Sequence, residues 1–214
     1  MRRPVTVALA ATLLLAANPA RAAVLGFGCI SGNLAGDCAI GEAQLAVDAT
    51  DAGGGQVLFS FWNSGPAASS ITDVYFDDGS LLALATVLNN LVLPPGVVDF
   101  SQDASPGNLP AANNVTPAFN TTAGFNADSN PPTQPNGVNP GELLGILFTL
   151  QAGTDFNDVL AELGDGTLRI GIHVQGYASG GSESFVNHPL PEPAMLALVG
   201  LGLAALFGAR ARRS

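Results

Sequence analysis

The 214-residue chain has no lysine, two cysteines, two histidines and one tryptophan, and only 11% of its residues are charged. Each scarcity narrows the reading. Arg169 is the one arginine between Arg21 and Arg210, so from Ala23 to Leu190 sixteen carboxylates face a single guanidinium, a net charge of about −15. Such a surface disfavours nucleic acid and electrostatic docking on anionic lipid. His173 and His188 are the only imidazoles for nucleophilic catalysis, and no Gly-x-Ser-x-Gly elbow raises a serine. The His-Glu-x-x-His, Walker and Rossmann patterns are absent as well. A carboxylate pair of the glycosidase kind leaves no sequence signature, and none of the sixteen stands out. The expectation is a non-enzymatic protein with no cofactor.

What the chain does have is concentrated at its ends. Arg2 and Arg3, the apolar run Val5 to Ala17 and the small-x-small triplet Ala20-Arg21-Ala22 make a secretory signal peptide over 1–22, cut after Ala22 by signal peptidase. Asn18-Pro19 stops the run short of a membrane span. At the other end, Ala194 to Ala209 carries no charge and is followed at once by Arg210, Arg212 and Arg213. Sixteen residues at about 1.5 Å each reach roughly 24 Å, short for a bilayer but workable with arginines that snorkel. The expectation is a transmembrane helix over 194–209, with the basic tail 210–214 held on the cytoplasmic side of the membrane.

Export frames the two cysteines. Cys29 and Cys38, with eight residues between them, predict a disulfide closing a short glycine-rich loop and pinning the mature N-terminus. Zinc would want more ligands than lie nearby. Calcium is the cation that suits an acidic exported domain, and Asp73, Asp77 and Asp78 are weak candidates to hold it, since aspartate is also an ordinary turn residue.

The middle reads as mainly β. Gln44 to Ala49, Gln56 to Trp62, Ile71 to Phe76, Leu81 to Val87, Leu143 to Leu150 and Thr167 to Gln175 alternate or run apolar between turn residues. Asp77-Asp78-Gly79 predicts a hairpin between the third and fourth of these. Phe156, Val159, Leu160 and Leu163 follow helical spacing, with Asp155 to cap the start and Gly164 to end it. One short helix among six strands predicts a β-sandwich ectodomain over 23–178. Residues 104–141, half of them proline, asparagine or glycine, read as a long loop tacked down by Phe119 and Phe125. Residues 179–190 read as a flexible linker. Beyond its phenylalanines the chain offers Trp62, Tyr75 and Tyr177 for a saccharide platform; Trp62 is on the strand face opposite Val57, Phe59 and Phe61, exposed if that face is outward and buried if both faces are inward.

The last 24 residues carry a resemblance. Pro191-Glu192-Pro193, the Gly/Ala/Leu-rich run that follows, and the terminal arginines together resemble the PEP-CTERM protein-sorting signal. The resemblance implies a substrate of an exosortase, a membrane-embedded cysteine transpeptidase-like enzyme of Gram-negative bacteria associated with exopolysaccharide production. Pro191, Glu192 and Pro193 would be recognition residues for that enzyme, and two prolines would keep the segment extended for it. The implied partners are the exosortase, the cytoplasmic membrane through the C-terminal helix, and extracellular polysaccharide. The protein is then exported, anchored transiently, and left at the cell surface or in the extracellular matrix. A carbohydrate-binding module or adhesin that stays anchored is the alternative.

Overall fold

The computed structural model describes residues 22–79, 81–89 and 98–189. The signal peptide and the transmembrane helix expected from the sequence lie outside these residues, apart from Ala22. No described helix is long and apolar enough to cross a membrane.

The described residues hold ten strands in chain order: β1 (Ala22–Cys29), β2 (Leu45–Gly53), β3 (Gln56–Asn63), β4 (Ser70–Asp77), β5 (Leu82–Leu88), β6 (Phe100–Gln102), β7 (Asn126–Ser129), β8 (Leu143–Leu150), β9 (Arg169–Gln175) and β10 (Glu183–Pro189). Their period-two pattern sets the sheet's two faces. In β3, Val57, Phe59 and Phe61 are fully buried while Trp62 is 40% exposed. All ladders are antiparallel, and they form one sheet in the order β5-β8-β3-β2-β1-β10-β9-β4-β7-β6.

That sheet rolls over its own core. The ring of Phe76 on β4 meets Phe148 on β8 at 4.7 Å and Phe59 on β3 at 5.2 Å, both edge to face. These strands stand five or six places apart in the sheet, so only a curled sheet brings the rings together. At the seam between the two edge strands, the Asn89 side chain mimics a strand partner. Its Nδ2 donates to the Phe100 carbonyl at 2.9 Å and its Oδ1 accepts from the Phe100 amide at 2.8 Å.

A helix closes each end. Helix α1 (Ala35–Gln44) packs against β10, close enough that a Cβ on Gly41 would lie 2.2 Å from Phe185 Cζ. A helical turn, α2 (Thr133–Asn136), lies against β4. Helix α3 (Phe156–Asp165) crosses the opposite end from β8 to β9 and turns Phe156, Val159 and Leu163 into the core. Asp155 caps it through a reciprocal capping box with Asp158, and Gly166 at φ 81° ends it in the left-handed region.

Several expectations are corrected here. The fold is mainly β as read, but it is one rolled sheet and not two packed sheets. The joining strands β1 and β10 fall in stretches read as a pinned terminus and a flexible tether. Residues Glu183–Pro189 are instead paired on both sides, by β1 and β9. The Asp77-Asp78-Gly79 turn makes no hairpin: β4 pairs with β7 and β9, and β5 pairs with β8. Asp78 steers the crossing, its carboxylate accepting from the amides of Leu81 and Leu82. The expected single helix is α3; α1 was not anticipated. The long loop holds β7 and α2 within it, and Phe119 and Phe125 anchor it as expected, the first 1% exposed and the second 5.2 Å from the Phe148 ring.

Candidate functional site

The described residues place the predicted site residues in three groups. Pro191, Glu192, Pro193, Arg210, Arg212 and Arg213 lie outside them. What stands directly before the sorting residues is β10, whose final residue Pro189 is opposite Leu25 of β1.

The second group is the disulfide. Cys29 at the end of β1 is bonded to Cys38 in α1, their Cα atoms 5.4 Å apart. Beside it is fully buried Glu183, whose carboxylate accepts from the Ser31 hydroxyl and from the amides of Asn33 and Leu34. Leu34 precedes α1 and has no side-chain cap to offer. A carboxylate supplied from β10, 149 residues along the chain, does that work. Asp37, on the first turn, is likewise buried and accepts from Ser179 Oγ at 2.5 Å. Cys29, Cys38 and Glu183 form the one close group of potential metal-ligating side chains among the described residues, with ligand atoms within 4.8 Å of one another. The two sulfurs are already joined to each other.

The third group is the three aspartates considered for calcium. The structure gives each a separate task. Asp77 pairs with Arg169, whose guanidinium also donates to the carbonyls of Pro117 and Ala118. Asp78 holds the turn into β5. Asp73, 4% exposed, accepts from Thr72 Oγ1 at 2.8 Å and lies within 3.4 Å of the Tyr75 hydroxyl.

Asp73 belongs to a different arrangement, one with no footprint in local sequence. On the outer face of the sheet, strand register lines up Ser184 of β10, His173 of β9, Asp73 of β4, Asp128 of β7 and Ser101 of β6 in one cross-strand row. Direct neighbours in such a row have Cβ atoms about 5 Å apart. Ser184 Oγ lies 3.1 Å from His173 Nδ1. Burial holds the Asp73 carboxyl up at about 6, assisted by the neighbouring Asp128, while the Thr72 hydroxyl works the other way. Asp128 is also raised, chiefly by burial. Burial lowers His173, with Glu183 opposing. Two carboxyls side by side in a low dielectric hold a shared proton more tightly than either would alone.

The segment 104–124 lies across this face. Leu109 and Phe119 rest on Gly171 of β9, where a Cβ would come within 2.7 Å of Leu109 Cδ2. They pack with Tyr75, Ala104 and Ala112 into a second small core. Asn114 Nδ2 reaches the Ile30 carbonyl beyond β1, and the Tyr75 hydroxyl is 3.2 Å from the Pro106 carbonyl oxygen. Asp73 and Asp128 are thus neighbours across β4 and β7, but Asp73 is 4% exposed, and the cleft that a glycan-cleaving pair also requires is not found at them among the described residues. The only local hint of the row was alternation in β9, which put His173 on the strand's polar face.

The exposed outer face carries Trp62. It stands opposite Leu143 of β8 on one side and Ala46 of β2 on the other, and Ala46 in turn is opposite Gly26 of β1. One row along, Asp48 is opposite Ser60, and its Oδ1 has no hydrogen-bond partner.

Residues 189–213 match the PEP-CTERM protein-sorting motif. Comparison with curated proteins and with solved structures gives no match to the chain.

Proposed function

We propose that this chain is an exported, non-enzymatic protein of the cell surface or exopolysaccharide matrix, held by its C-terminal segment and then cleaved by an exosortase at or near Pro191-Glu192-Pro193. The carrying observation is the sorting motif at residues 189–213, which begins on the last residue of the folded sheet. The disulfide between Cys29 and Cys38 suits an oxidising compartment outside the cytoplasm. The acidic balance suits a protein that must stay soluble among polyanionic polysaccharide without adhering to it through charge. Support for a non-enzymatic reading is the burial of Ser184 and Asp73, 1% and 4% exposed. Replacing Pro191, Glu192 and Pro193 together with alanine is expected to leave full-length protein in the membrane fraction; release at the wild-type rate overturns the reading.

One observation favours a second reading, a carbohydrate-binding module or adhesin. Trp62 is 40% exposed, between Ala46 of β2 and Leu143 of β8. A sugar ring binds by stacking on such an exposed aromatic face. On this reading Trp62→Ala lowers retention on the organism's own exopolysaccharide by about tenfold or more, a loss of about 1.4 kcal/mol; retention unchanged from wild type removes the platform.

A further inference from the structure

Residues 104–124 join β6 to β7 by a long detour. Asp103 at φ 77° and Gly124 at φ 79° turn the chain at its two ends, and the ends meet: the Asp103 amide donates to the Asn126 carbonyl at 3.2 Å, and Gln102 Nε2 to the Gly124 carbonyl at 2.7 Å. The segment carries no charged residue. Its two arms are tied to the sheet differently. In the later arm the carbonyls of Pro117 and Ala118 accept from Arg169, and the Asn120 amide donates to Asp77, the acid that pairs with that arginine. Opposite charges fasten this arm.

Like charges fasten the earlier arm. The Ser105 amide donates to the Asp128 carboxylate, and the Asp73 and Asp128 side chains are hydrogen-bonded to each other. Two carboxyls share a hydrogen bond only while one of them holds a proton. The Tyr75 hydroxyl stands between two acceptors, 3.4 Å from Asp73 Oδ1 and 3.2 Å from the Pro106 carbonyl oxygen, with one proton to give. Burial, with Asp73 and Asp128 nearby, raises that hydroxyl and keeps its proton in place. While Asp73 is protonated, its own O–H serves Asp128 and Tyr75 serves Pro106. Once Asp73 ionises it competes for the Tyr75 proton, the Pro106 carbonyl loses its donor, and two neighbouring carboxylates are left with like charge. Each change loosens the same arm. Thr72 Oγ1 donates to the other oxygen of Asp73, and Asp103, at the start of the arm, is exposed. His173 of β9 stands opposite Asp73; burial lowers it, with Glu183 of β10 opposing, so its own effect is felt only as pH falls.

We propose that Asp73, Asp128 and Tyr75 form a proton-operated clasp: loss of the one proton between the two carboxyls frees the arm 104–109 from the sheet, while 117–122 stays tied through Arg169 and Asp77. The freed arm takes Ala104 and Leu109 out of the small core around Tyr75 and uncovers Gly171 of β9. The change is centred near the Asp73 value of about 6. A carboxyl raised in the closed form favours closure below its ordinary range, and that preference is lost as pH rises through the raised value. A domain that stands outside the cytoplasm meets the pH of its surroundings, so the arm is held more tightly in acid than at neutral pH.

The test is amide hydrogen exchange on the full chain purified in detergent, at pH 5 and at pH 7.5, with rates corrected for the intrinsic effect of pH. Exchange in 104–109 is expected to rise about tenfold relative to exchange in 117–122, the change that one carboxyl moved from about 3.9 to about 6 produces over that interval. Asp73→Asn stays neutral and still donates to Asp128, and Asp128→Asn still accepts from the Ser105 amide. Each is expected to abolish the rise, and either one decides the matter if the other fails to fold. A ratio of the two arms that is the same at both pH values overturns the clasp. A rise that persists in a folded variant overturns it as well, and places the titrating group elsewhere.

Discussion

Asp73 is the residue where burial and charge conflict most directly. Its carboxyl is raised to about 6 in the folded protein, against about 3.9 for an unfolded chain, so folding favours the protonated form. The stabilisation is fully present below the unfolded value and is lost as pH rises through about 6. At about 1.4 kcal/mol per unit, the loss is about 2–3 kcal/mol between pH 4 and pH 7. Asp128 acts in the same direction. His173, lowered by burial, acts in the opposite one: its contribution is present above about 6.5 and is lost as pH falls through its lower folded value. Asp73→Asn keeps a neutral side chain of the same shape, so urea unfolding should show the variant gaining on wild type as pH rises from 4.5 to 7.5. A constant difference across that range would mean that the carboxyl is ionised throughout. Nothing in the sequence marked Asp73 as different from Asp77 or Asp78, because the difference arises first from burial in the folded sheet and then from Asp128, 55 residues away.

At the scale of single elements, strands with strict alternation were readable and helix α1 was not. β3 and β8 carry their inward phenylalanines and leucines at every second position, and β8 spans the residues that the pattern gives, Leu143–Leu150. α3 was legible because Asp155 and its apolar spacing point to one helix; Gly164, read as its end, lies inside it, and Gly166 is the residue that stops it. α1 has two glycines in ten residues and only weak amphipathicity, so its stability comes from outside: the disulfide, the Glu183 carboxylate and close packing on Phe185. That close packing gives a sharp expectation. Gly41→Ala should improve helix propensity by up to about 1 kcal/mol, yet the added Cβ would meet a fully buried ring. Overpacking wins, and the variant should unfold about 1–3 kcal/mol more easily in urea. A neutral or stabilising result would contradict the packing of α1 on β10. The strand β10 itself was missed because serine, asparagine and histidine interrupt Glu183–Pro189, and its pairing partners lie at opposite ends of the chain.

For the whole molecule, β10 decides where the domain ends. A sandwich ending at residue 178 would leave the C-terminal stretch dispensable. The rolled sheet places that stretch between β1 and β9, so removing it splits the sheet, leaves β1 and β9 each with one unpaired edge and uncovers His173 opposite the lost Ser184. A chain stopping at Ala178 should fail to give a cooperative unfolding transition, whereas one stopping at Leu190 should unfold cooperatively. Identical behaviour of the two would refute the central placement of β10. The sequence made the sorting signal plain because such a signal is read as a linear segment; the sheet that carries it was only partly legible, since its closure depends on residues 22–29 meeting residues 183–189. The same contact brings the segment expected to leave through signal peptidase and the segment expected to meet the exosortase to one end of the molecule.

The central claim is that this chain is exported, held, and released by cleavage at its sorting motif, and the intact mass of the protein tests it most directly. Protein would be recovered from membrane and extracellular fractions of cells with and without the processing enzyme. The account predicts a mass that begins near Ala23 and ends near Pro191 to Pro193, found outside only when the enzyme is present. A mass that still includes Arg213, retained in the membrane of both strains, would contradict it.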